Sequence, residues 1–417
     1  METMISRKDI NLMAPVGSFE SLQAAIQGGA DSIYFGIDKL NMRARSSINF
    51  NRNDLKKIVS VCQENGIDSY LTLNVVFYDN ELSQMKEIVN FAKDSGIKAI
   101  IASDQAVISY ARSVNMEVHI STQVNISNTE ALKYYADFAD VIVLARELNL
   151  DQVRGIYDNI IHESITGPSG DPIEIEMFVH GALCMSISGK CYLSLHEHNH
   201  SANRGDCLQD CRRAYMVREK ETDAELEIDN EYIMSPKDLC TIHFLNKMID
   251  AGVRVMKIEG RARPPEYVYT VVSCYNEAVN AIIENSYNKG RIAEWKKRLS
   301  NVFNRGFWDG YYLGQRLGEW SDVYGSKSVK RKVYIARGMN YFSKLKVAEF
   351  LCEAGKLRVG DEILITGPTT GIIMTTIREI RVNFKQVTET VQGERFSIPV
   401  EKVVRHSDRL YKWADSN

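Results

Sequence analysis

The sequence predicts an α/β protein: a (β/α)8 TIM-like barrel with a long cysteine-bearing insertion after strand 7, then a small C-terminal antiparallel β-barrel. Three observations carry the prediction. Short apolar runs alternate with amphipathic helical patterns through the first 260 residues, the signature of parallel strands joined by helices. Polar side chains gather at the ends of those runs, where a barrel assembles its mouth. From Val329 the apolar period changes to two, as in strands with one buried face.

In chain order, strands are expected at Leu12–Val16, Ser32–Ile37, Ser69–Val76, Ala99–Ser103, Glu117–Thr122, Val141–Arg146, Ile173–His180 and Val255–Glu259. Between them lie amphipathic segments such as SFESLQAAIQGGA, NRNDLKKIVSVCQENG, DNELSQMKEIVNFAKDSG and NTEALKYYADF. Ser18 and Asp79 stand where a side-chain oxygen caps a first turn, and Gly28, Gly66 and Gly96 close the last turns. Eight strands is the closure number of a TIM barrel. A doubly wound open sheet shares the alternation, but no G-x-G-x-x-G follows the first strand. The excursion before strand eight holds a hairpin-like piece, YMVREKETDAELEIDNEYIM, and a segment read as a helix, SPKDLCTIHFLNKMIDAG. The last barrel helix is PPEYVYTVVSCYNEAVNAIIENS, with Pro264 and Pro265 near its start. The expected division is a barrel over 1–302 (insertion 182–254), an aromatic, Gly-rich linker over 303–328 and a β-module over 329–417.

Bulk properties narrow the class. With 417 residues, 44% hydrophobic and 25% charged, the chain suits one large barrel plus a small module. It contains no run of about 18 apolar residues. The opening METMISRKDINLMAPVG has no apolar signal region, so a cytoplasmic protein without a membrane partner is expected. The net charge of −3 is uneven: from Val329 onward 16 Lys/Arg face 10 Asp/Glu, leaving the module at +6 and the rest at −9. A basic module on an acidic body is compatible with a nucleic-acid partner, and also with a Lys/Arg-rich β-domain of no such function.

Four of the eight cysteines, Cys184, Cys191, Cys207 and Cys211, share one stretch with the spacing C-x6-C-x15-C-x3-C. Disulfide frameworks belong to small secreted chains, so these thiols are read as soft ligands of one metal centre. Zinc sites usually show two tight C-x2–4-C pairs. Wide, irregular spacing in a Gly-, Ser- and Asn-rich loop suits an iron–sulfur cluster better; zinc and unliganded thiols stay open. Cys62, Cys274 and Cys352 read as small core residues. The histidines His196, His198 and His200 of HEHNH read as solvent-facing. Strand ends bring Pro15, Gly36, Asn74, Asp104, Gln123, Arg146 with Glu147, His180, and Glu259 with Arg261 to one mouth beside the cysteine loop. No H-E-x-x-H or G-x-S-x-G occurs.

The blocks EMFVHGALC, SGKCYLS, NRGDCLQDCRRAY, MSPKDLC and VMKIEGRAR resemble the U32 collagenase-like peptidases, as do LMAPVGSFESLQAAIQGGADSIYFG, HISTQVNISN and VIVLARELNL upstream. The resemblance spans essentially the whole chain. It implies an oxygen-independent hydroxylase with a 4Fe–4S cluster, acting on a tRNA wobble uridine, ribosomal RNA or a ubiquinone precursor. The C-terminal module is similar to that of the tRNA hydroxylation protein P branch, which implies 5-hydroxyuridine as product and prephenate as source of the hydroxyl group. Carried over, the cluster ligands fall on Cys184, Cys191, Cys207 and Cys211, with Cys240 as an alternative fourth.

Expectations for the mouth follow from that chemistry. Arg43, Arg146 and Arg261 could grip a dicarboxylic co-substrate through paired hydrogen bonds, or Arg146 and Arg261 could pair with Glu147 and Glu259. Asn74 and Gln123 could read a base edge or a ligand carbonyl, with Asp104 beside them. His180 could move protons or tune the cluster, or only satisfy the core. His180, Arg146, Glu147 and Glu259 are the catalytic candidates. Arg204, Arg212 and Arg213 flank the cysteine loop and could meet RNA phosphates. An unidentified electron donor and a paralogous partner subunit complete the expectation. The competing functions are a peptidase and an RNA-binding factor with a structural metal.

Overall fold

The computed structural model describes residues 5–38, 40–45, 50–216, 232–315 and 317–416. All eight expected strands form, and they close. β1 (Asn11–Pro15), β2 (Ser32–Phe35), β3 (Asp68–Leu73), β4 (Ala99–Ala102), β5 (Glu117–Ile120), β6 (Val141–Val143) and β7 (Glu174–Gly181) are parallel neighbours. The ring is completed by a strand over Val253–Ile258, which pairs in parallel with β1 on one side and β7 on the other. Because side chains alternate along a strand, Met13, Tyr34, Tyr70, Ile101, Val141 and Val255 point inward and pack as a barrel core. The same period places Thr72 and Asn74 above Tyr70, and Lys257 and Glu259 above Val255.

Helices cover the outside. α1 (Phe19–Gly28) is capped by Ser18, whose side chain accepts from the Ser21 amide at 3.2 Å, and ends in a left-handed Gly29. α2 (Asp54–Glu64), α3 (Leu82–Asp94), α4 (Gln105–Ser113), α5 (Thr129–Ala136) and α6 (Leu150–His162) follow the remaining strands. Asp79 lies in a single 3-10 turn ahead of α3 instead of capping it.

The insertion departs from expectation. The short α7 (Leu193–His198) lies among the cysteines. SPKDLCTIHFLNKMIDAG, read as one helix, contains β8 (Asp238–Cys240) and then the short α8 (Leu245–Asp250), before β9 (Val253–Ile258). β8 pairs antiparallel with the end of β7, His180 opposite Cys240, so a sheet edge overrides the local helical period. The hairpin-like piece falls largely outside the described residues.

After α9 (Pro265–Ile283) and α10 (Lys289–Ser300), β10 (Phe307–Trp308) joins β8, and Tyr312 donates to the Phe178 carbonyl at 3.0 Å. The first part of the expected linker, through Tyr312, is therefore packed along the barrel wall.

From Lys330 to Asp415 the chain forms an eight-stranded antiparallel sheet and a two-stranded one around Ile335, Phe350, Ile363, Phe396 and Leu410. This module docks on α1. The Gln27 side chain donates to the Thr370 carbonyl at 2.9 Å and accepts from the Ile372 amide at 3.0 Å. Leu364, Ile372 and Trp413 belong to the barrel's outer core. Among the described residues no helix is long and apolar enough to cross a membrane.

Candidate active site at the cysteine-lined cavity

A cavity of about 480 Å³ opens at the C-terminal ends of the strands, and Cys184, Cys191, Cys207 and Cys211 all border it. The loop carrying them leaves β7 at Gly181 and is tied down along its length. Asp210, 2% exposed, accepts from Ser194 at 3.1 Å and His198 at 3.1 Å. Asp206 is held by His200 and, at 3.0 Å, by Arg45. Asn125 donates to the Ser188 carbonyl at 3.0 Å. Gly205 is left-handed, and a Cβ there would stand 2.2 Å from the Asn41 carbonyl oxygen, so only glycine lets the loop seat on the segment after β2.

The same cavity is lined by a set of charged residues. Arg43 donates twice to Glu259, at 3.0 and 2.6 Å. Burial alone would raise the Glu259 carboxyl, but Arg43, then Arg146 and Arg261, outweigh it and hold it down at about 2. Arg261 is 5% exposed and donates to Asn41 at 3.1 Å and Thr72 at 2.8 Å. Burial pushes its guanidinium down to about 10. Gly36 makes room for it: a Cβ there would lie 2.5 Å from Arg261 Nη1. Lys257 is buried, paired with the fully buried Glu176 at 2.6 Å and 4.6 Å from the Tyr34 ring centre. Arg146 stacks over Phe178 at 3.9 Å, and its Nε has no hydrogen-bond partner. Asn74 accepts from the Met42 amide at 3.3 Å and approaches Ser121 at 3.4 Å, and Ser121 in turn donates to Gln123.

The family model for peptidase family U32 matches residues 17–322, the span holding the cavity and its loop. The chain belongs to peptidase family U32. Its U32 relatives carry two kinds of name. A protein named collagenase from Porphyromonas gingivalis is 59% identical over 97% of this chain and 98% of its own length. The tRNA hydroxylation protein P1 of Bacillus subtilis is 30% identical over 89% of this chain and 87% of its own. The 23S rRNA 5-hydroxycytidine synthase of Escherichia coli is 32% identical over 76% of this chain and 47% of its own.

In this U32 chain the cavity gathers Arg43, Asn74, Gln123, Arg146, Glu259 and Arg261 together with the four cysteines. Other expected residues lie elsewhere. His180 is 1% exposed, lies 3.4 Å from the Tyr275 hydroxyl, and is pushed down to about 3 by burial. It is a neutral core residue, outside the cavity. Cys240, on the strand paired with His180, is 1% exposed and burial pushes its thiol up to about 11. It too is outside the cavity wall. Asp104 caps α4 through the Ala106 amide at 2.9 Å and holds the Phe77 amide at 3.1 Å. Glu147 faces an adjoining pocket instead.

The pairings also differ from expectation, since Glu259 takes Arg43, Arg261 takes neutral acceptors, and no ion pair joins Arg146 to Glu147 among the described residues. Arg204, Arg212 and Arg213 brace the loop. Arg204 forks onto Glu81 at 2.9 and 2.6 Å, Arg212 donates to the Leu183 and Pro236 carbonyls, and Arg213 meets Asp210 at 3.2 Å. His196 and His198 are exposed and His200 is half-buried, as a solvent-facing loop predicts, and His198 and His200 are also tied to Asp210 and Asp206. Lys257 and Tyr34 were not singled out by sequence, although the period-two alternation that exposes Glu259 to the mouth also exposes Lys257.

Proposed function

We propose that this protein is an iron–sulfur-dependent, oxygen-independent RNA hydroxylase that forms 5-hydroxyuridine at the tRNA wobble position, with prephenate as the hydroxyl source. The observation that carries the reading is one cavity lined both by four thiols and by Arg43, Arg146, Lys257 and Arg261. The donor set fits the cluster: four cysteines from both arms of one loop, none in a disulfide. Zinc sites usually show two tight C-x2–4-C pairs, and this loop has one, Cys207 and Cys211. Held by Cys184, Cys191, Cys207 and Cys211, a 4Fe–4S cluster would exchange single electrons at a potential set by its surroundings.

The chain's own residues bind and orient. Arg146, with an unpartnered Nε, and Arg261, whose acceptors are neutral, have donors and charge to offer a carboxylate. Glu259 stays ionised and holds the Arg43 fork in place. Asn74, Ser121 and Gln123 form a polar edge of the kind that reads a pyrimidine. Lys257 donates from Nζ to Glu176 at 2.6 Å and stands over the rings of Tyr34 and Phe178.

Relatives named for tRNA and rRNA hydroxylation support an RNA substrate. Deleting the gene in a strain without a second U32 homologue should remove 5-hydroxyuridine derivatives from tRNA digests analysed by mass spectrometry, and an unchanged profile overturns the proposal. Iron and sulfide assays on anaerobically purified protein test the cofactor. Cys211→Ala should lose iron and Cys240→Ala keep it; about one zinc and no iron would favour an RNA-binding factor with a structural metal.

The relative named collagenase favours a second reading, proteolysis. Against it, burial pushes the Cys211 thiol up to about 11, opposite to an activated nucleophile. Cleavage of collagen by cluster-loaded protein, abolished by one nucleophile substitution, would establish it.

A further inference from the structure

A second, smaller pocket of about 210 Å³ adjoins the cavity and shares Arg146 and residues 184–188 of the cysteine loop as a common wall. Its other walls are aromatic: Trp308, Tyr311 and Trp320, all from the stretch between α10 and the C-terminal module. Trp308 and Tyr311 meet edge to face at 5.3 Å. One buried donor of a lining residue, Trp308 Nε1, has no acceptor among the described residues, and Trp308 is only 5% exposed. A buried donor left without an acceptor is unfavourable, so this wall calls for an acceptor from outside the chain. Glu147, exposed on the same rim, supplies the complementary carboxylate.

We infer that this pocket receives a nucleobase of the RNA substrate, one that flanks the base under modification. The assignment rests on the RNA-hydroxylase reading and extends it. The pocket holds about seven waters' worth of liquid volume, room for the eight to eleven heavy atoms of a base. Aromatic walls stack any base face. An in-plane oxygen or ring nitrogen of a base answers the Trp308 donor, and the exocyclic amine of adenine, cytosine or guanine answers Glu147. A proline ring from a peptide would fit the aromatic walls but brings no such edge. The shared wall places the pocket next to the cavity where the target base would lie, as suits single-stranded RNA with splayed bases.

The test is affinity for anticodon stem-loop RNAs carrying one abasic site at each position flanking the target, at fixed salt. Wild-type protein should lose about tenfold in affinity at one flanking position. Trp320→Ala should bind intact RNA about tenfold more weakly and be insensitive to that abasic site, while Trp320→Phe should restore both behaviours. Trp308→Phe removes the Nε1 donor and shrinks a buried ring, so it should weaken binding by a smaller factor, with the unfolding midpoint as the check on packing. Abasic and Trp320→Ala losses that simply multiply, or wild-type affinity in Trp320→Ala, overturn the pocket and leave the hydroxylase reading standing. A proline-rich peptide that binds wild type and not Trp320→Ala overturns it in favour of a peptide site. No RNA binding by wild type overturns both readings.

Discussion

His180 shows how completely burial decides a residue's chemistry. It lies four positions before a cysteine that borders the cavity, yet it is sealed behind β8 among Tyr267, Tyr275 and Phe307. Its imidazole is held neutral, down at about 3 against an ordinary value of 6.5. A lowered folded value means that the unfolded chain binds the extra proton first. The contribution to stability is complete above pH 6.5 and is lost as pH falls toward 3. Urea unfolding at pH 7.5 and pH 5 should therefore show the gap between wild type and His180→Gln narrowing by about 1.4 kcal/mol per pH unit below 6.5. An unchanging gap would show that His180 titrates normally. Glu259 illustrates the opposite outcome, since three guanidinium groups keep a buried carboxylate charged. Glu259→Gln should leave Arg43 without its fork partner and lower hydroxylation at least tenfold, with iron content as the check that the loop still folds.

At the scale of elements, the same residue type does different work according to where its strand delivers it. Asp104 follows β4 at the mouth, as a substrate ligand would, but its carboxylate is consumed by the first turn of α4 and the Phe77 amide. Asp104→Ala should cost about 1 kcal/mol of stability while product formation stays at the wild-type level, and a large loss of activity at full stability would return it to the site. Gly36, just past β2, does contribute to the site, by absence of a side chain. Gly36→Ala should displace Arg261 and reduce activity with only a small change in melting temperature; full activity would show that Arg261 has room to shift. The cysteine loop was legible because four thiols at irregular spacing have few explanations. The braces that hold it, Asp206, Asp210 and Arg212, were not, because each depends on partners distant in sequence or on burial.

For the molecule as a whole, the barrel and the basic module share an apolar interface, Leu364, Ile372 and Trp413 lying in the barrel's outer core. Many of the module's cations are already paired within the fold, among them Lys330, Lys332, Arg337 and Lys412. Arg378, Lys385 and Arg395 are exposed, with no ion pair among the described residues. If the module grips RNA, changing these three to Glu should weaken binding and reduce the slope of log K against log salt by about 0.7–0.9 for each phosphate that is no longer neutralised. An unchanged slope would assign the module to structure alone. Either outcome leaves the barrel site intact.

What the sequence determined by itself was the periodic part of the protein: eight alternations, their closure number and a cysteine block too irregular for ordinary zinc spacing. These are local patterns, and local patterns survive in one dimension. The tertiary structure decided which polar residues share a cavity. It brought Arg43 to Glu259 across 216 positions of sequence, seated Lys257 on Glu176, and turned His180 and Cys240 toward the core. The reason is physical: charge pairing and burial act through space, and their partners are fixed only when the barrel closes.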